Sequence, residues 1–122
     1  MNISGSYNRN QSFGMAFRKP NQFVLNHFEQ AIKELTEKER EFFTEKVGYL
    51  VEQNKNISVP IEQTVTSTGI YQTVVGQTSY TAREPKTKAD GIIIAMESAT
   101  NAAKNLENAN SHFAKIKKIF DV

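Results

Sequence analysis

Cysteine is absent from the 122 residues, and disulfides, thiolate metal sites and thiol redox chemistry are excluded with it. Histidine is almost as scarce: there are 2, His27 and His112, and neither has a second metal-type ligand one helical turn away. The 6 glycines are scattered, so neither a phosphate-cradling loop nor a dinucleotide fingerprint occurs, and no nucleophile elbow is present. With these gaps the visible routes to catalysis close, and the expectation is a non-enzymatic chain with no cofactor and no bound metal. Long apolar runs are missing too. None approaches the roughly 18 residues of a membrane span, and the N-terminus lacks the apolar stretch of a secretory signal. A soluble, cytoplasmic chain without a membrane span is therefore expected.

Net charge is small, +2, which does not by itself imply a nucleic-acid partner. Its distribution is uneven: residues 1–20 carry Arg9, Arg18 and Lys19 and no acid. That segment is rich in Asn, Ser, Gly and Gln and reads as a flexible arm, yet it interleaves its cations with Tyr7, Phe13, Met15 and Phe17. Arg9, Phe13, Met15, Phe17, Arg18 and Lys19 form a candidate partner-binding set, because basic and aromatic residues in one segment can dock on a protein or stack on nucleic acid. The alternative is that Phe13, Met15 and Phe17 fold back on the body.

Residues 21–122 read as one α+β domain. Between 21 and 54 apolar residues recur at helical spacing: Val24, Leu25, Phe28, Ala31, Ile32 and Leu35, then Phe42, Phe43, Val47, Leu50 and Val51. Thr36 and Glu39 have the spacing of a capping box, which argues for a break, whereas Phe28, Ile32, Leu35 and Phe42 stay nearly in phase, which argues for one helix. Continuity is the expectation, with the helix ending at Asn54–Asn56, where asparagine can adopt a left-handed turn. Residues 57–84 change to Thr, Val, Ile and Tyr. Ile57, Val59, Ile61 and Val65 alternate with polar residues as in a half-buried strand, and Gly76 divides the run after Ile70, giving an antiparallel hairpin or meander.

The final segment, 88–120, organises the rest. Thr87 and Asp90 mark its start, and Lys115, Lys117 and Lys118 suit the negative end of a helix dipole. Along it Ala95, Ala99, Ala102, Leu106, Ala109, Phe113, Ile116 and Phe120 form one stripe in steps of three and four, alanine-rich in the middle and bulky towards the end. At 1.5 Å per residue the helix spans about 48 Å and requires a partner of similar length. The predicted frame is two long amphipathic helices packed antiparallel with the β element between them in sequence, and the stripe as the packing or oligomer face. The function expected from this pattern is interaction or assembly, with a second copy or another protein as partner. A small regulator or inhibitor acting through the N-terminal arm on a protein or nucleic acid is the alternative.

Overall fold

The computed structural model describes residues 16–122 as an α+β fold with element order α1 (Gln22–Lys33), α2 (Glu37–Gln53), β1 (Glu62–Val65), β2 (Tyr71–Val75), β3 (Thr78–Tyr80) and α3 (Lys88–Ile119). The continuous helix expected over 21–54 is replaced by two. Thr36 interrupts it with a full capping box: its hydroxyl accepts from the Glu39 N–H, and the Glu39 carboxylate accepts from the Thr36 N–H. Two backbone donors that a continuous helix would use internally are satisfied this way, so a new helix starts at Glu37.

The corner also changes direction. Glu34, at the end of α1, receives a hydrogen bond from Lys88 at the start of α3, 3.0 Å away. Lys46 then lies beside Glu97 at 3.2 Å and Asn54 beside Thr100 at 3.0 Å, so α2 advances in the same sense as α3. The predicted long antiparallel pair is thus corrected to two short helices that both lean on α3. Nor does α2 end in a left-handed turn: Asn54 has φ −105° and is buried, its amide donating to the Leu50 carbonyl and to Thr100 Oγ1.

The β element is a three-stranded antiparallel meander in the order β1-β2-β3. Gly76, at φ +62°, opens the two-residue turn between β2 and β3, a position where a side chain would strain the backbone. In the β1–β2 turn the Thr66 hydroxyl accepts from the Ile70 N–H. Ile57, Val59 and Ile61 are buried as their alternation requires, but regular pairing starts only at Glu62. Before it the chain meets the N-terminal segment: Ile61 N–H donates to Ala16 and Arg18 N–H donates to Ile61, a parallel bridge centred on Phe17.

One core lies between the helices and the sheet. β2 turns Tyr71, Thr73 and Val75 inward, alternating with half-buried Gln72 and Val74. Opposite them are Ala89, Ile92, Ala95, Met96, Ala99 and Ala103 of α3, with Val24, Ala31, Phe43 and Leu50 from the other helices. The Thr73 hydroxyl donates to the Ala95 carbonyl at 2.7 Å, which satisfies a polar group that burial would otherwise penalise.

Candidate association surface

α3 places the sequence-predicted face in two different environments. Thr87 caps its start by accepting from the Asp90 N–H, and Lys117 and Lys118 occupy its last turn, as their spacing predicted. Ala95 and Ala99 are fully buried under the sheet, and Ala102 is half-buried. From there the stripe emerges into solvent: Leu106 is 40% exposed, Ala109 is exposed, and Phe113, Ile116 and Phe120 are 59%, 49% and 74% exposed.

The boundary is built by Glu107. Its carboxylate accepts from both the N–H and the hydroxyl of Ser58, each at 2.7 Å, fastening the loop before β1 to α3. Those hydrogen bonds hold the carboxyl below its ordinary range, since they favour the charged form. Every residue after Glu107 is exposed. The helix nevertheless continues to Ile119, a projection of about 18 Å beyond the body.

The stripe keeps the spacing of a coiled-coil seam throughout. Ala99, Leu106, Phe113 and Phe120 occupy one heptad position, labelled a, and Ala95, Ala102, Ala109 and Ile116 the other, labelled d. Lys117 extends over the Phe113 ring, its ammonium 5.4 Å from the centroid, covering part of that ring without removing it from solvent.

Of the N-terminal candidate set, Arg9, Phe13 and Met15 lie outside the described residues. Phe17 is buried, Arg18 half-buried and Lys19 exposed, so the three do not present one common surface. The segment is tied down by a relay: Tyr71 Oη donates to Gln63 Oε1, and Gln63 Nε2 donates to the Arg18 carbonyl. Burial pushes the Tyr71 phenol well above its ordinary pKa, keeping it a donor.

Two concavities flank the start of α3 among the described residues. The larger, of about 870 Å³, lies between α2, the start of α3 and residues 83–87, with Leu35, Phe42, Ile93 and Ile94 among its walls. The sequence puts Phe42 in phase with Phe28, Ile32 and Leu35 and names Phe43 in the same apolar run, but Phe42 is 70% exposed and only Phe43 of the two is buried. Adjacent helical residues point about 100° apart, so the pair Phe42-Phe43 already signalled that one of them faces outward. The smaller, of about 490 Å³, is bordered by His27, Glu34, Tyr71 and Lys88. His27 is buried and stacked on Tyr71, ring centroids 6.1 Å apart; burial, then the Lys88 charge, lower its pKa, while Glu34 opposes them. Its proximity to the start of α3 was not visible in the sequence.

Among the described residues no cluster of His, Asp or Glu is arranged to hold a metal ion, and no helix is long and apolar enough to cross a membrane. No family profile, characterised protein or solved structure matches the chain.

Proposed function

We propose that the protein is a non-enzymatic assembly protein that self-associates through the projecting end of α3. The observation carrying this reading is the solvated stripe itself: Leu106, Phe113, Ile116 and Phe120 share one helix face, and the body covers none of them fully. Burying what remains exposed would contribute about 1 kcal/mol per side chain, half or so of the value for complete burial. Eight such side chains in a pair would then supply about 8 kcal/mol, against an association cost of about 4–15 kcal/mol. The balance favours a reversible, concentration-dependent complex over a permanent one.

The helix itself gives a second reason. Asn108, Asn110, Ser111 and His112 are mediocre helix formers, and a solvated helical end of this length is marginal without tertiary support. A partner along the stripe would supply that support. Light scattering across a range of concentrations tests the reading: molar mass should rise from one chain to two, and Phe113→Asp should hold it at one chain with the body still folded, any loss of helical circular dichroism being confined to the projecting turns. A single-chain mass at every concentration for the wild-type protein would refute it.

A further inference from the structure

Resting on self-association through α3, we propose that the occupant of the projecting face is a second copy of this chain in antiparallel orientation, with the two-fold axis at Ser111. The pattern of side-chain sizes selects this arrangement. In a parallel pair each seam position meets itself, so Phe113 would stack on Phe113 and Ala109 on Ala109. Thin layers at Ala102 and Ala109 would sit beside thick ones at Leu106, Phe113, Ile116 and Phe120, and two helix axes at one separation cannot satisfy both.

Reversing one helix brings each a position opposite a d position. With the axis at Ser111, Ala109 faces the partner's Phe113, Ala102 faces the partner's Phe120, and Leu106 faces the partner's Ile116. Two of the three kinds of layer combine a small side chain with a large one, and the third combines two of similar volume. The seam is self-complementary, as a two-fold interface has to be.

The extent of the surface agrees. The overlap from Ala102 to Phe120 spans about 27 Å. In this register the partner's Phe120 reaches Ala102 and stops short of Ala99, which is sealed beneath the sheet. The exposed parts of the stripe and its flanks amount to roughly 600 Å² per copy, or roughly 1,200 Å² in the pair, which reaches the lower edge of specific interfaces. The flanking positions nearest the axis, Asn110 and His112, are not carboxylates or ammonium groups, so no fixed like charges meet there. An asparagine amide both donates and accepts, and Asn110 can therefore pair with its own counterpart across the axis.

Spin labels on single introduced cysteines at Ser111 and at Lys118 test the arrangement, because the chain has no cysteine of its own and both positions lie opposite the stripe. Molar mass is measured on the same labelled samples. The antiparallel pair gives no axial separation at 111 and about 21 Å at 118, so the 118 distance should be the longer of the two. Equal distances in a dimer would overturn the antiparallel arrangement and leave self-association standing. A shorter distance at 118 than at 111 would overturn the register, and a single-chain mass for labelled and unlabelled protein would overturn both readings.

Discussion

The two halves of α3 share one heptad spacing and one backbone geometry, yet one half is core and the other is surface. From Ala89 to Ala103 the inward residues are small or slender, and the sheet and the two short helices come close. Beyond Glu107 the same stripe carries Phe113, Ile116 and Phe120, and all three are exposed. Periodicity therefore identifies which side of a helix is apolar; it does not say what covers that side.

The contrast breaks most visibly under truncation of one side chain in each half. Met96→Ala, at a site 1% exposed, should cost about 2–5 kcal/mol of stability by denaturant unfolding in dilute solution. Phe113→Ala under the same conditions should change stability by less than about 0.5 kcal/mol, because no core contact is lost. Equal losses would show that the projecting half is covered within a single chain.

Next in size is the polar contact at the root of the helix. Thr100→Val deprives the Asn54 amide of one acceptor at a buried site and should cost about 1–3 kcal/mol, leaving the concentration dependence of molar mass unaltered. A smaller effect is expected at the capped end. Thr87→Ala removes the acceptor for Asp90 N–H and should cost about 1 kcal/mol, read as a lowered denaturant midpoint with an unchanged slope.

The mildest test is pH. Because burial and Lys88 depress the pKa of His27 in the folded state, the unfolded chain binds the proton more readily. Stability should therefore be at its full value above about pH 6.5, fall as the pH drops towards the folded-state value, and level off below it. His27→Gln should flatten that slope between neutral and mildly acid solution. A slope that survives the substitution would assign it to other groups.

Much of the fold was legible because its signals are local. Thr36 with Glu39 and Thr87 with Asp90 announce helix starts within four residues, and the switch from helical spacing to Thr-Val-Ile alternation announces the sheet. What misled was phase. Phe28, Ile32, Leu35 and Phe42 look continuous, but the corner at Thr36 rotates the second helix so that Phe43 points inward in place of Phe42. Asn54 was read as a helix stop on conformational grounds, whereas its position depends on Thr100, 46 residues away in sequence. Such a contact leaves no local trace.

The candidate surface was half legible for a related reason. The spacing puts the stripe on one face of a helix, but its cover depends on length. α2, at 17 residues, reaches only about 26 Å along a 32-residue helix that runs about 48 Å. The overhang follows from that mismatch, which no window of residues within α3 contains. At Phe17 the pattern allowed either docking outward or folding back, and the Phe17–Ile61 bridge beside which Phe17 is buried pairs segments 44 residues apart.

Glu107 sets one last property of the molecule. Opening the chain backwards from Val122 to that carboxylate releases no interior side chain, whereas opening one turn further frees the Ser58 loop and begins to uncover Ala103. The amides of the last turns can thus exchange with solvent through a small, separate fluctuation, while those nearer Ala89 wait for the whole domain to come apart. A mate lying along the tip would slow the first kind of exchange and leave the second where it was.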